Sequence, residues 1–204
     1  MIRELLTGNT AAAWGARLAE VDYVPAYPIT PQTEIIETLA RRITKGEMAA
    51  RLITMDSEHS MLTAAGAAAA TGARVFTATS SQGLLYAFEM LYAVAGWRVP
   101  LVLVNVSRAV ASPITLEPDH NDVLAARDSG FLQFHAETCQ EVLDSDLIGY
   151  RLAEHCDVLL PVLVNLDGFS LSFTRDRWRF PCSKRSASFC RRTNQRMPAF
   201  RHRT

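Results

Sequence analysis

The chain has 204 residues, 49% of them hydrophobic, and its formal net charge is zero. This length allows one domain with a sizeable core and a small appendage, and it argues against two full domains. No apolar run reaches the roughly 18 residues of a membrane-spanning helix and residues 1–8 lack the pattern of a signal peptide, so we expect a cytoplasmic protein without a membrane partner.

From Gly8 onward, amphipathic segments alternate with short apolar runs, a pattern typical of strands and crossover helices in an α/β sheet. In chain order the pattern predicts helix Asn9–Glu20, strand Tyr23–Ala26, helix Gln32–Thr44, strand Arg51–Met55, helix Glu58–Thr71, strand Ala73–Ala78, helix Ser81–Ala95, strand Val99–Val106, helix Val123–Ser129, strand Leu132–Ala136, helix Gln140–His155 and strand Val158–Asn165. Asn9 is a candidate N-cap of the first helix. These elements predict an α/β fold with a doubly wound, mostly parallel sheet.

The charge is unevenly distributed although its total is zero. Residues 174–204 hold ten Lys or Arg and one acid, which leaves residues 1–173 with a net charge of −9. Beyond about Arg175 neither helical nor strand periodicity remains, which predicts disorder. We therefore expect a folded domain at residues 1–174 and a basic, non-homologous tail at residues 175–204. Three explanations of this tail remain open: a nucleic-acid-binding arm, a partner-docking arm and a shifted reading frame. The abrupt change of sequence pattern favours the shifted reading frame.

The four cysteines, Cys139, Cys156, Cys182 and Cys190, are widely spaced. They form no CxxC pair and no ferredoxin-like run of ligands. We expect free thiols and no iron–sulfur cluster in this chain.

Ligands of open α/β sheets bind beyond the carboxyl ends of the strands, so the loops that follow the predicted strands are the place to seek functional residues. Four loops meet this condition: Tyr27–Pro31, Asp56–His59, Thr79–Gly83 and Ser107–His120. From the residues alone, Glu58 is interpreted as an acid at a helix N-terminus and Arg108 as a partner in a salt bridge. Ser80 or Ser81 is interpreted as a helix cap.

Five stretches in this order resemble the α subunits of 2-oxoacid:ferredoxin oxidoreductases, the pyruvate-type members in particular. They are AYPITPQTE, DSEHS with the alanine-rich helix after it, FTATSSQGL, DHNDVLAARDSGF and LLPVLVNLDGF. The resemblance covers about Gly8 to Thr174 and identifies residues 1–174 as a domain that binds the aminopyrimidine half of thiamine diphosphate.

The resemblance implies a role for Glu58 in activating the cofactor. Thiamine-dependent enzymes place a carboxyl group against N1′ of the aminopyrimidine to favour the imino tautomer, which removes the thiazolium C2 proton. Glu58 is therefore the expected catalytic residue.

The resemblance also implies binding roles. Arg108 would clamp the carboxylate of the oxoacid through parallel hydrogen bonds, and Thr30 would donate a hydroxyl bond to the same substrate. The cofactor contacts expected besides Glu58 are Pro28, Ile29, Ser80, Ser81 and Gln82.

No metal site is expected in this chain. Asp119, His120 and Asp122 lack further ligands nearby, and the resembling family places this loop near the active-site entrance. The Gly-Asp-Gly segment that anchors Mg²⁺ and the diphosphate in thiamine enzymes is missing, since Asn165–Gly168 has these residue types in another order. The resemblance therefore assigns Mg²⁺ and the diphosphate to a β subunit.

The function expected is the pyrimidine domain of a pyruvate:ferredoxin oxidoreductase α subunit. This enzyme decarboxylates pyruvate oxidatively to acetyl-CoA, passing electrons to ferredoxin through iron–sulfur clusters on partner subunits of the β and γ/δ type. We expect the isolated chain to be inactive. The alternatives are a truncated or frame-shifted non-catalytic product and the same domain acting on another 2-oxoacid. A Rossmann-like module is disfavoured because no GxGxxG follows a predicted strand, and we expect no nucleic-acid partner.

Overall fold

The computed structural model describes residues 3–111 and 113–179. The strands in this part of the chain are β1 (Arg3–Leu6), β2 (Tyr23–Ala26), β3 (Arg51–Thr54), β4 (Phe76–Thr79), β5 (Val102–Ser107), β6 (Leu132–Ala136), β7 (Val162–Asp167) and β8 (Asp176–Arg179). The helices are α1 (Gly8–Leu18), α2 (Thr33–Thr44), α3 (Glu58–Ala70), α4 (Gln82–Tyr86), α5 (Phe88–Trp97), α6 (Asn121–Ala125), α7 (Cys139–Ala153) and α8 (Ser170–Phe173).

Six strands run parallel through the centre of the domain. Four of them form a sheet in the order β4-β5-β7-β6, and β2 pairs with β3 in a separate parallel pair. One isolated bridge, between Tyr23 and Val75, joins β2 to the β4 side. The strands therefore lie in the order β3-β2-β4-β5-β7-β6, with a weakly bonded seam between β2 and β4. At this seam Pro25 has no N–H to donate, and its carbonyl accepts a hydrogen bond from the Thr77 hydroxyl at 2.8 Å.

Helices cover both faces of these strands. One buried cluster joins apolar side chains of α1, α2 and α7 to Val102, Val104 and Val106 of β5. A second cluster joins α3, α4, α5 and α6 to Leu103 of the same strand. Since successive residues of a strand point to opposite faces, the alternation along β5 produces two cores, and the predicted doubly wound α/β fold is confirmed.

Several predicted boundaries were wrong. The helix expected at Ser81–Ala95 is two helices, α4 and α5, which meet at Ala87. The cap of α1 is Thr7, whose side chain accepts from the Thr10 amide, while the Asn9 amide donates to the Pro31 carbonyl. Similarly, β7 begins at Val162 and not at Val158.

The antiparallel pair of β1 and β8 was not predicted. Strand β8 lies within the segment expected to be disordered, so ordered structure continues at least to Arg179. Residues 180–204 of the expected tail lie outside the described residues. The division of the chain at residue 174 remains a prediction.

Within residues 3–111 and 113–179, no helix combines the length and the hydropathy that crossing a bilayer requires.

Candidate active site

The loops singled out in the sequence all follow the carboxyl ends of parallel strands. Tyr27–Pro31 follows β2, Asp56–His59 follows β3, Thr79–Gly83 includes the end of β4, and Arg108 follows β5 directly. Neighbouring parallel strands end at the same edge of a sheet, so these loops converge there.

Arg108 connects three of the predicted site segments. Its side chain is buried, with 7% relative exposure. Nε donates to the Thr30 carbonyl at 2.8 Å, and Nη1 donates to Oε1 of Gln82 at 2.9 Å and to the Ala109 carbonyl at 3.2 Å. Nη2 has no partner among the described residues. One guanidinium nitrogen therefore remains available to a ligand.

Burial and a nearby carboxylate act in opposite directions on Arg108. Desolvation lowers the pKa of the guanidinium below its usual value, and the negative charge of Asp122 raises it. An arginine of this kind still carries its charge at neutral pH, because its unperturbed pKa lies far above 7.

The Tyr27–Pro31 loop is fixed at both ends by buried amides. Nε2 of Gln32 donates to the Tyr27 carbonyl at 2.7 Å, and Nδ2 of Asn9 donates to the Pro31 carbonyl at 2.9 Å. The Thr30–Pro31 peptide bond is cis. Pro28 and Thr30 are exposed and Ile29 is half-buried, so this loop presents its side chains outward at the edge of the sheet.

Glu58 lies in the first turn of α3 but does not cap the helix. Ser57 is the cap, since its hydroxyl accepts from the Ser60 amide. Glu58 is 6% exposed, and its carboxylate has no hydrogen bond or ion pair with another described residue. It lies against Gly83, where an added methyl group would be 2.6 Å from Oε1 of Glu58 and would also collide with Oγ1 of Thr79.

Two buried polar atoms beside Glu58 and Arg108 have no hydrogen-bond partner in the described part of the chain. They are Oγ1 of Thr79 and Nε2 of Gln82. Buried polar atoms in proteins are almost always hydrogen-bonded, so unpaired ones at the edge of a sheet indicate a place for a polar ligand. Thr79 was not among the predicted site residues, although it precedes Ser80 directly in the sequence.

The side chains of Ser80 and Ser81 form hydrogen bonds to the backbone of neighbouring segments. The Ser80 hydroxyl donates to the Val106 carbonyl at 2.6 Å, and the Ser81 hydroxyl donates to the Ala109 carbonyl at 2.9 Å. Both residues are fully buried, and neither side chain caps α4. Ser81 has φ 46° and ψ −116°, a conformation that strains residues other than glycine.

A buried polar cluster lies behind Arg108. Its members are Asn105, Ser107, Asp122 and Asn165, and all are at most 1% exposed. Nδ2 of Asn105 donates to Oδ2 of Asp122 at 2.9 Å and to Oδ1 of Asn165 at 2.9 Å, and the Ser107 hydroxyl lies 2.8 Å from Oδ1 of Asp122. The sequence prediction missed this cluster, although two polar residues inside the apolar run VLVNVS signal it.

Asp119, His120 and Asp122 make different contacts. Asp122 faces the buried cluster, Asp119 bonds the backbone and side-chain amides of Asn121, and Nδ1 of His120 lies 3.0 Å from Nδ2 of Asn165.

Comparisons with known proteins identify the family of this chain. The family described as pyruvate flavodoxin/ferredoxin oxidoreductase, thiamine-diphosphate-binding, matches residues 14–203. The chain belongs to this family. The match extends into the segment expected to be unrelated to the fold.

Relatives in the family carry two substrate names. The chain is 48% identical to the pyruvate synthase subunit PorA of Methanocaldococcus jannaschii, over 91% of this chain and 48% of that protein. It is 49% identical to the ketoisovalerate oxidoreductase subunit VorA of Pyrococcus horikoshii, over 85% of this chain and 43% of that protein. The chain thus spans about half the length of these family members.

A solved structure has the same fold as this chain. The 2-oxoglutarate:ferredoxin oxidoreductase from Magnetococcus marinus, solved with 2-oxoglutarate, coenzyme A and succinyl-CoA bound, aligns with a TM-score of 0.81 and 27% identity. The alignment covers 90% of this chain and 32% of that one.

Proposed function

We propose that the chain binds the aminopyrimidine half of thiamine diphosphate in a pyruvate:ferredoxin oxidoreductase. The observation that carries the proposal is the convergence of an unpaired buried carboxylate, Glu58, with a guanidinium, Arg108, that holds the Thr30 loop and Gln82 together. The two groups have the two chemistries that an oxoacid decarboxylase requires, an acid for the cofactor and a cation for the substrate.

The residues present fit the cofactor. Glu58 is shielded from water and has no competing cation among the described residues, so its carboxyl group is free to share a proton with N1′ of the ring. The unpaired atoms of Thr79 and Gln82 offer further hydrogen bonds to a polar ring edge. Bound thiamine diphosphate supplies the carbanion chemistry that decarboxylation requires.

Pro28 and Ile29 would contact the ring from the loop after β2, on the same edge of the sheet as Glu58. The buried hydroxyls of Ser80 and Ser81 already donate to backbone carbonyls. Their contribution to cofactor binding would therefore come through the shape of the turn and its backbone.

Arg108 would bind the carboxylate of the oxoacid. Its Nε and Nη1 are used within the chain, which fixes the plane of the guanidinium, and Nη2 remains for the substrate. A charge-assisted hydrogen bond in a water-poor site is stronger than a neutral one. The Thr30 hydroxyl, on an exposed residue whose carbonyl accepts from Arg108, would be the second contact to the substrate.

Partner subunits would bind the diphosphate and its Mg²⁺ and would provide the path for electrons. A β subunit would bind the magnesium diphosphate, and iron–sulfur clusters on β and γ/δ-type subunits would pass electrons to ferredoxin. Pyruvate and coenzyme A would be converted to acetyl-CoA in the cytoplasm, and the chain alone would be inactive.

The experiment compares the purified chain with a complex in which the same sequence forms the N-terminal domain of a full-length α subunit, assembled with its partner subunits. We expect pyruvate-dependent reduction of a viologen dye by the complex and none by the chain alone. Turnover by the isolated chain would contradict the proposal of partner dependence.

Ketoisovalerate is the second candidate substrate, because the chain is as similar to VorA as to PorA. The kcat/KM values of the same complex for pyruvate and for ketoisovalerate decide between them. A higher kcat/KM for ketoisovalerate would make ketoisovalerate the proposed substrate instead of pyruvate. The proposed roles of Glu58 and Arg108 would not change.

A further inference from the structure

Asp122 is the best-connected buried carboxylate near the proposed site. It is fully buried at the start of α6. Oδ2 accepts from the Ser81 amide at 3.0 Å and from Nδ2 of Asn105 at 2.9 Å, and Oδ1 accepts from the Val123 amide at 2.7 Å. Oδ1 also lies 2.8 Å from the Ser107 hydroxyl, whose single hydrogen is shared between it and Oδ1 of Asn165 at 2.7 Å. Four donor groups therefore lie within hydrogen-bond distance of a single carboxylate.

The bond from Asp122 to Ser81 holds a strained turn in place. Ser81 has a positive φ of 46°, which a residue with a side chain adopts only when its surroundings impose it. A buried amide donating to a carboxylate is one such constraint, because a charge-assisted bond is stronger than one between neutral groups.

Two connections lead from this turn to Arg108. The Ser81 hydroxyl donates to the Ala109 carbonyl, which also accepts from Nη1 of Arg108. The next residue, Gln82, accepts a second hydrogen bond from the same Nη1. The position of the turn thus determines the position of two acceptors of the guanidinium.

On this basis, and resting on the proposed function of Arg108 as the substrate clamp, we infer that Asp122 is a positioning residue for oxoacid binding. It fixes the Ser81–Gln82 turn, which orients Arg108 toward the carboxylate of the substrate. Asp122 itself touches neither substrate nor cofactor in this assignment. Its negative charge also counters the effect of burial on the pKa of Arg108, which favours the charged guanidinium.

The test is Asp122→Asn in the complex of full-length α subunit and partners. An amide of the same size has one acceptor oxygen instead of two, so the two donor groups that face the other position lose their acceptor. We expect KM for pyruvate to rise about tenfold, the scale of one charge-assisted hydrogen bond, while kcat and exchange of the cofactor C2 proton stay within about twofold.

A double-mutant cycle separates positioning from general destabilisation. Arg108→Ala alone should raise KM about 100-fold, and adding Asp122→Asn should raise it no further, because the residue that Asp122 orients is gone. Additive effects on KM would overturn the inference. Tyr150→Phe is the matched control, since it removes one buried hydrogen bond, to the Val75 carbonyl, remote from Arg108. It should lower the melting temperature and leave KM unchanged.

If the Asp122→Asn complex fails to assemble, Ser81→Ala tests the connection between the same turn and Arg108. It removes the bond to the Ala109 carbonyl and should raise KM for pyruvate about threefold or more, a smaller effect because the bond is between neutral groups. Unaltered KM in Asp122→Asn or Ser81→Ala, with a raised KM in Arg108→Ala, would overturn the role of Asp122 alone. Unaltered KM in Arg108→Ala would overturn the proposed clamp itself.

Discussion

Replacing Gly83 by alanine should disable Glu58 without altering any proposed chemical group. Gly83 lies in α4, and its missing side chain leaves the space that the Glu58 carboxyl group occupies. An added methyl group would be 2.6 Å from Oε1 and 3.0 Å from Cγ of Glu58. Both distances are shorter than van der Waals contact, and Oγ1 of Thr79 would be closer still, so the side chains of Glu58 and Thr79 both have to move.

The size of the movement follows from these distances. Ordinary contact of a Cβ atom begins near 3.4 Å, so Oε1 has to retreat by about 0.8 Å. A displacement of about 1 Å in a catalytic group can cost about 100-fold in rate. We therefore expect exchange of the cofactor C2 proton to slow by about two orders of magnitude in Gly83→Ala.

The assay follows deuterium exchange at C2 by NMR after acid quench, in the complex of full-length α subunit and partner subunits. Gly96→Ala is the matched control, because Gly96 also lies in a helix and an added methyl group there meets no atom within 4 Å. It should leave exchange unaltered and raise stability by about 0.5–1 kcal/mol through helix propensity. Normal exchange in a correctly assembled Gly83→Ala complex would refute the reasoning.

Three further predictions concern single residues. Glu58→Gln keeps the size of the side chain, so assembly should be unaltered while C2 exchange slows about 100-fold or more; exchange at the normal rate would remove Glu58 from its role. Burial raises the pKa of Asp146 well above its ordinary value, so the folded state holds its proton more tightly than the unfolded state, and stability should fall as pH rises from about 4 toward the folded-state pKa. Asp146→Asn should therefore unfold at a higher urea concentration than the unaltered chain, with a larger gap at pH 8 than at pH 5; a constant gap would contradict this. Glu154→Ala breaks a double hydrogen-bonded pair with the buried Arg74 and should cost about 3 kcal/mol in denaturant titrations, whereas Asp128→Ala, which breaks an exposed pair, should cost less than about 1 kcal/mol.

The sequence predicted the parallel core well because its signals are local. The apolar run that forms β5 lies between two helical periodicities, and the resulting alternation specifies a doubly wound sheet without knowledge of distant contacts. The pairing of β1 with β8 joins residues from opposite ends of the described chain. No local sequence pattern therefore predicts this pair. The division of the helix at Ala87 likewise has no glycine or proline to mark it.

The site was predictable only in part for a similar reason. The loops with Thr30, Gln82 and Arg108 could be placed at one edge of the sheet from topology, and the structure brings these three together through hydrogen bonds of Arg108. The partners of Asp122 could not be predicted, because Ser81 and Asn105 lie 41 and 17 residues away in sequence. The contacts that join these residues depend on the folded structure and leave no local pattern in the sequence.

The seam between β2 and β4 divides the proposed site between two platforms. The β2–β3 platform carries the Thr30 loop and Glu58, and the four-stranded platform carries Gln82 and Arg108. Among the described residues one isolated backbone bridge crosses the seam, and the Thr77 hydroxyl adds a side-chain hydrogen bond to the Pro25 carbonyl. Substitutions at the seam would therefore change the distance between Glu58 and Arg108 without replacing either residue.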